Sequence, residues 1–89
     1  MARLELSAVE TNELAAQGGA VDALFELGII YATGREVSTN LVVAHKFFNL
    51  AAMRGNDEAR LYRMEISREM DKRQIAEAQR LAREWIRQH

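Results

Sequence analysis

Cysteine and proline are both absent from this chain of 89 residues, and only five of its residues are glycine. The lack of cysteine excludes disulfide frameworks, thiolate nucleophiles and cysteine zinc sites. Ala, Leu, Glu and Arg, which favour helices, are abundant instead, so the composition predicts an all-α fold. A chain of this length provides one domain of modest stability, for which association with another chain often helps.

The sequence also lacks an excess of charge and any long apolar run. Its formal net charge is −1, and no block of basic residues concentrates positive charge as phosphate binding requires, so nucleic acid is not expected as the main partner. Charges at Arg3, Glu5, Glu10 and Glu13 interrupt the apolar core that a secretory signal needs. The run at residues 41–44 is too short to span a membrane. We therefore expect a soluble, cytoplasmic protein without membrane contact.

One segment of the sequence occurs twice. Residues 14–19 read LAAQGG and residues 50–55 read LAAMRG, which places two Leu-Ala-Ala-x-x-Gly segments 36 residues apart. Such self-similarity is typical of stacked helical repeats, in which each helix pair buries its apolar face against its neighbours. Repeats of this kind commonly bind other proteins.

Capping residues and glycines predict five helices joined by short connections, as in antiparallel helical hairpins. A capping box at Ser7 and Glu10 predicts the start of the first helix, and a weaker one at Asp71 and Gln74 predicts the start of the fifth. Asn56 can cap the fourth helix. Glycine stops at Gly18-Gly19, Gly34 and Gly55 end the first three. The middle three helices are expected at about residues 20–32, 40–54 and 57–69.

The chain resembles the Sel-one-like repeat, a relative of the tetratricopeptide repeat with units of about 36 residues. The matching positions are Ala23, Leu27, Gly28, Tyr31, Gly34, Val37, Ala44, Phe48, Ala51, Ala52 and Gly55. They outline a full unit at residues 20–55, with a partial unit at 7–19 before it and a degenerate capping unit at 56–87 after it. The resemblance implies a single domain, residues 1–89, folded as an α-α superhelix (solenoid) of antiparallel helical hairpins.

The resemblance further implies a non-catalytic scaffold for protein complexes, which in this family serves mostly bacterial signalling and envelope functions or eukaryotic degradation complexes. The family's shared positions are structural, so they imply helix-packing roles and no binding site. Gly28, inside a helix, would allow another helix to approach closely. We therefore expect a bacterial protein-protein interaction adaptor that needs no cofactor and whose partner is another protein.

Several positions depart from the family's pattern, among them Glu36, Asn40 and Met64. Glu36 stands where the family usually has a second loop glycine, and Asn40 stands where it usually has an aspartate, although asparagine can still cap the helix. Met64 replaces the glycine seen at Gly28 in the preceding unit. The last hairpin is therefore expected to pack less closely or at another angle, as a terminal cap can.

An apolar stripe on the third helix is a candidate interaction surface. The family usually has lysines at the positions of Val43 and Leu50, and Phe47 lies between them on the same helix face, with Val42 beside it. Two alternatives remain open. The N-terminal helix or a tilted neighbour covers these residues, or they form an exposed patch for a homodimer or for the partner.

Catalytic and metal-binding interpretations have little support in the sequence. His45 has no histidine or carboxylate three or four positions away, and His89 is the last residue, so His45 is expected to have a packing or surface role. Glu65 and Glu69 lie beside basic residues on what we expect to be a solvated charged face. Tyr31 and Trp85 are expected in the core or cap. We predict no enzyme activity, no metal and no organic cofactor.

An alternative function uses the arginines of the last hairpin. Seven acidic residues occur in the same region, which favours weak surface ion pairs. If the arginines instead segregate on one surface, the chain would be a small helical regulatory or nucleic-acid-binding module. A third class, an enzyme or an accessory subunit of one, would need a polar pocket that the sequence does not reveal. The arginines concerned are Arg60, Arg63, Arg68, Arg73, Arg80, Arg83 and Arg87.

Overall fold

The chain forms five α-helices and no strand in the computed structural model, which describes residues 5–89. The prediction of an all-α fold with about five helices is therefore confirmed. The helices are α1 (Ala8–Gln17), α2 (Val21–Thr33), α3 (Leu41–Met53), α4 (Asp57–Ser67) and α5 (Lys72–Gln88).

The predicted capping residues define where the helices begin. At α1, the Ser7 hydroxyl accepts a hydrogen bond from the Glu10 amide at 3.1 Å, and the Glu10 carboxylate accepts one from the Ser7 amide at 3.2 Å. Asp71 and Gln74 form the same reciprocal pair at α5, at 2.8 and 2.9 Å. These bonds satisfy amides that have no partner within the helix. The two remaining side-chain caps are those of Asn40 at α3 and Asn56 at α4.

Helix ends were predicted well only where a glycine marks them. Gly34 closes α2 in the left-handed conformation, with φ of 74°, as its position predicts. Helix α4 has no such glycine and ends at Ser67, two residues before the predicted Glu69. A weakly marked end therefore gives a less certain boundary.

Glu36 adopts a backbone conformation that favours glycine. Its φ is 67°, and it is the non-glycine residue with positive φ in the described part of the chain. This is the position at which the resembling repeats have a glycine, so the departure carries some backbone strain. The Glu36 carboxylate accepts a hydrogen bond from the Val9 amide at 3.3 Å, which ties the loop after α2 to the first turn of α1.

Helix α3 lies at the centre of the fold. It packs against α2, α4 and α5, whereas α1 packs mainly against α2. Helices α4 and α5 make their main contacts with α3 and few with each other, which confirms that the last hairpin is less closely packed.

The close approach predicted at Gly28 is confirmed. A Cβ atom built at this position would lie 2.5 Å from two ring atoms of Phe48, a distance that real contacts do not reach. Glycine therefore lets α2 rest directly on the Phe48 ring of α3. Most of the other repeat positions are buried around this contact, namely Ala23, Leu27, Ala44, Ala51 and Ala52.

Candidate functional site

The predicted apolar stripe on α3 is not a free surface. Phe47 and Leu50 belong to the core, with 6% and 1% of their surface exposed, while Val42 and Val43 are half-buried and pack against the core. The alternative in which neighbouring helices cover the stripe is thus the one observed. Because α3 is the central helix, a side chain on almost any of its faces meets another helix. No docking surface is assigned to these four residues.

A cleft opens between the last two helices and the central one. It has a volume of about 490 Å³, and we call it the α3–α4–α5 cleft. Its floor and walls come from α3 and from the facing sides of α4 and α5, which pack little against each other. The lining residues are His45, Asn49, Arg60, Leu61, Arg63, Met64, Ser67, Ile75 and Gln79.

Charge of a single sign lines this cleft. Arg60 and Arg63 are its charged residues, and none of the described residues that line it is acidic. Arg63 donates a hydrogen bond from Nη1 to Oδ1 of Asn49, which fixes the guanidinium against α3, and Arg60 is exposed. A chain with a formal net charge of −1 therefore carries a locally positive concave surface.

His45 lies at the base of the cleft with only 3% of its surface exposed. Its Nε2 is 3.1 Å from the Ser67 hydroxyl oxygen, and that hydroxyl donates to the Arg63 carbonyl at 2.7 Å. Because a hydroxyl has a single hydrogen, His45 must be the donor through Nε2. Nδ1 is then a bare acceptor, and it is buried without a hydrogen-bond partner among the described residues.

The environment of His45 favours its neutral form. Burial lowers the pKa of the imidazole below its ordinary value, and the nearby positive charge of Arg63 lowers it further. The Ser67 hydroxyl is not an activated nucleophile, because its hydrogen is directed at a carbonyl and not at an imidazole nitrogen. His45 therefore has the packing role predicted for it and adds a buried acceptor to the cleft.

Apolar side chains form the rim of the cleft on the α4 side. Leu61 and Met64 lie three residues apart on one face of α4, and 63% and 54% of their surfaces are exposed. Ile75 on α5 is half-buried and packs against the core. The cleft thus joins two guanidinium groups to a small apolar surface.

A second, smaller groove of about 190 Å³ lies where α1, α3 and α5 meet. Lys46 and Glu13 both line it, so its charges are mixed. The Lys46 ammonium lies 4.3 Å from the centre of the Phe47 ring. Burial lowers the pKa of Lys46, while Glu13 and Glu84 oppose that shift. The charges here are internally balanced, which makes this groove a weaker candidate for an ionic ligand.

The aromatic residues weighed as ligand contacts are packing residues. Tyr31 and Trp85 are both partly buried against the core. The Tyr31 ring is stacked on Phe47 with centroids 6.0 Å apart, and Trp85 is stacked on His89 at 4.2 Å. Both rings therefore find partners within the chain.

Three arginines of the last hairpin lie in different surroundings. Arg80 is held by Glu77 and Glu84 on the same face of α5, at 2.6 and 2.8 Å. This pairing lowers the pKa of the Glu77 carboxyl, chiefly through its hydrogen bond to Arg80. Arg60 and Arg63 face the α3–α4–α5 cleft instead.

Two further observations bear on the site. Within residues 5–89, no group of three or more His, Asp or Glu side chains is arranged to hold a metal ion. The described helices include none that has both the length and the apolar character needed to cross a bilayer.

Comparison of the chain with protein-family models, with curated proteins and with solved structures finds no match. The likeness to the Sel-one-like repeat therefore depends on the residues quoted above and on nothing else.

Sequence reasoning did not find the α3–α4–α5 cleft. His45 and Ser67 are separated by 22 positions, and no local pattern links them. The one available signal was Met64, whose bulk at a glycine position predicted a looser last hairpin. That looseness is what leaves room for the cleft.

Proposed function

We propose that this chain is a non-catalytic protein-interaction module, a scaffold or adaptor built from Sel-one-like helical hairpins stacked into a superhelix. The observation that carries the proposal is apolar exposure on the outer helices of the stack. Leu14 on α1 and Leu61 and Met64 on α4 are exposed, whereas on the central helix Phe47, Phe48 and Leu50 are buried and Met53, its last residue, is exposed. Exposed apolar side chains beside a groove are typical of protein contact surfaces.

The stacked arrangement has support in the packing of the repeated segments. Arg54, in the second Leu-Ala-Ala-x-x-Gly segment, donates to the carbonyl of Gly19 in the first at 3.3 Å. This hydrogen bond brings the C-terminal ends of α1 and α3 near each other, which is compatible with consecutive repeats. Helix α3 in turn packs against α5, the next helix but one. The molecule measures 50 × 25 × 22 Å, an elongated shape that suits a short stack.

The chemistry of the grooves supports the non-catalytic part of the proposal. The α3–α4–α5 cleft pairs its one histidine with a hydroxyl whose hydrogen is engaged elsewhere. Catalysis by nucleophile and base needs that hydrogen bond in the opposite sense. The smaller groove offers one lysine, Lys46, together with Glu13 and the Phe47 ring, an arrangement that packing alone explains.

The proposal is tested by affinity capture from cells that make the protein, with matched surface variants. Immobilised wild-type chain is compared with Leu14→Lys, with Leu61→Lys, and with Ala76→Lys as a control at an exposed position on α5. We expect a protein that is retained by the wild type and by the control and lost with one of the two leucine variants. Circular dichroism checks that all four chains have equal helicity.

Two outcomes would contradict the proposal. One is the absence of any protein that the wild type retains better than at least one of the two leucine variants. The other is binding of duplex DNA that falls steeply as salt rises, which would favour the nucleic-acid module instead. Sedimentation of the pure chain decides separately whether a second copy is the partner.

A further inference from the structure

We infer that the α3–α4–α5 cleft binds an acidic segment of a partner protein, with a carboxylate at Arg60 and Arg63 and a neighbouring apolar side chain at Leu61 and Met64. This inference depends on the proposed function, because it names the partner chemistry for one surface of the same module. It assigns a binding site to residues that the repeat pattern leaves without a role.

Charge complementarity selects the acidic partner. The cleft presents two guanidinium groups, and no acidic side chain among its described lining residues neutralises them. A guanidinium offers a planar fork of donors that matches a carboxylate with two parallel hydrogen bonds. A basic segment would place like charge beside these guanidinium groups, and a neutral segment would leave them without an anionic partner.

Arg63 is positioned in advance for such a contact. Its Nη1 is bonded to Oδ1 of Asn49, and its backbone carbonyl receives the Ser67 hydroxyl. A donor that is already fixed loses less side-chain entropy when it binds a ligand. The remaining nitrogens of the guanidinium can still donate, because a guanidinium has five N–H groups.

The apolar rim explains why the ligand is a protein segment and not a free anion. Leu61 and Met64 are each more than half exposed at the edge of the cleft. A small anion would leave them in water, whereas an apolar residue next to the carboxylate would cover them. Methionine adapts its shape to different partners, which suits a peptide groove. A volume of about 490 Å³ accommodates one or two side chains.

His45 supplies an internal reporter of binding. It faces Ser67 and Arg63 on α4, while α5 contributes the uncharged Ile75 and Gln79 to the same cleft. Burial is the larger cause of the lowered pKa of His45, and the positive charge of Arg63 is the smaller one. A carboxylate beside Arg63 offsets that charge, so the surroundings of the imidazole change when the segment binds. The imidazole can therefore be observed directly by NMR during a titration.

The test is a peptide-display selection with random peptides of about twelve residues as the probe. Wild-type chain should enrich sequences in which Asp or Glu adjoins Leu, Ile, Met or Phe. Arg60→Glu reverses a charge at an exposed residue and should weaken the best synthetic peptide about tenfold or more. Arg73→Glu makes the same change on an exposed residue outside the cleft and should leave the affinity unchanged.

A second measurement keeps the test independent of folding. Arg63→Gln removes the charge and keeps a donor to Asn49, so helicity should be retained while the peptide binds more weakly. The His45 imidazole resonances should shift on addition of the wild-type peptide and not with a control peptide in which Asp and Glu are replaced by Asn and Gln.

The inference is overturned if the selection shows no acidic bias, or if Arg60→Glu and Arg73→Glu bind the enriched peptide equally. It is also overturned if inorganic phosphate or a short RNA occupies the cleft more tightly than the peptide does. These outcomes leave the proposed function intact as long as affinity capture still yields a protein partner. The reverse result, no captured protein, would contradict both proposals.

Discussion

The two Leu-Ala-Ala-x-x-Gly segments share their sequence pattern and differ in their surroundings. Leu14, at the end of α1, has 57% of its surface exposed, whereas Leu50, at the end of α3, has 1%. The third residue of each segment is buried in both, as Ala16 and Ala52. The middle residue differs, since Ala15 is exposed and Ala51 is buried. The repeated residues therefore share one inward-facing position, and they do not set how much of the helix is covered.

Position among the helices accounts for the difference. Helix α3 has α2, α4 and α5 around it, while α1 has α2 as its main neighbour. A leucine on the central helix meets another helix, and the same leucine on the first helix meets solvent. Terminal units of helical repeats are atypical for this reason.

The largest expected effect is the difference in stability between alanine variants of the two leucines. Leu50→Ala should lower the free energy of unfolding by about 2–5 kcal/mol, because it removes a buried side chain and leaves a cavity. Leu14→Ala should change it by less than about 0.5 kcal/mol, since that side chain is mostly in water. Urea unfolding followed by circular dichroism measures both. Equal losses in the two variants would mean that α1 is covered to the same extent as α3.

Two glycines extend the comparison to the backbone. Gly28→Ala should destabilise the fold by about 1–2 kcal/mol net, because the new methyl group collides with the buried Phe48 ring and this cost exceeds the gain in helix propensity. Gly18→Ala, at the end of α1, would meet only the Ala15 carbonyl at an ordinary 3.5 Å. Its effect should stay within about 0.5 kcal/mol. Thermal unfolding of the pair checks this, and a stabilised Gly28→Ala variant would show that α2 and α3 are farther apart than described.

His45 should make the centre of the molecule sensitive to pH. Its pKa is lowered in the folded state from an unfolded value near 6.5, so between these two values the unfolded chain binds more protons. The contribution of the neutral His45 to the free energy of unfolding is then fully present above about pH 7. It falls as the pH drops through 6.5, by at most about 1.4 kcal/mol per pH unit. Urea midpoints at a series of pH values from about 7.5 to 5.5 measure the slope.

The matched variant for this prediction is His45→Gln, which should lose the slope whatever its absolute stability. At the equivalent position of α1, 36 residues earlier, the chain has Val9, so no such titration is expected there. A wild-type chain whose stability is unchanged or rises on acidification would contradict the buried neutral imidazole.

The smallest expected effect concerns the hydrogen bond between Glu36, in the loop after α2, and Val9, in the first turn of α1. Glu36→Gly removes the strain of a positive φ and also the hydrogen bond to Val9, so the free energy of unfolding should change by no more than about 1 kcal/mol. Amide exchange should become faster in the first turn of α1 and stay the same in α3. Faster exchange throughout α3 would show that Glu36 supports the core and not only the end of the stack.

Local chemistry explains how much of the fold the sequence could predict. Ser7 with Glu10, Asp71 with Gln74, and Gly34 act on their own helix ends, so reading a few neighbouring residues is enough to place them. Burial of Phe47 and Leu50 could not be read in this way. It depends on which other helices pack against α3. Leu14, which holds the same place in its Leu-Ala-Ala-x-x-Gly segment as Leu50, is exposed.

The candidate site was less predictable than the fold for the same reason. Arg60 and Arg63 could be counted among the arginines of the last hairpin, but nothing local shows that they face a cleft while Arg80 pairs with Glu77 and Glu84. Only the packing of α4 and α5 on α3 separates these two environments.

Residue-by-residue hydrogen exchange of the unmodified protein most directly tests the central claim, which is that a segment's place among the five helices decides its burial and local stability. We predict that the amides of residues 50–52 exchange only through global unfolding, while those of residues 14–16 exchange faster through local opening of α1. Equal protection of the two segments, or stronger protection at residues 14–16, would contradict the account.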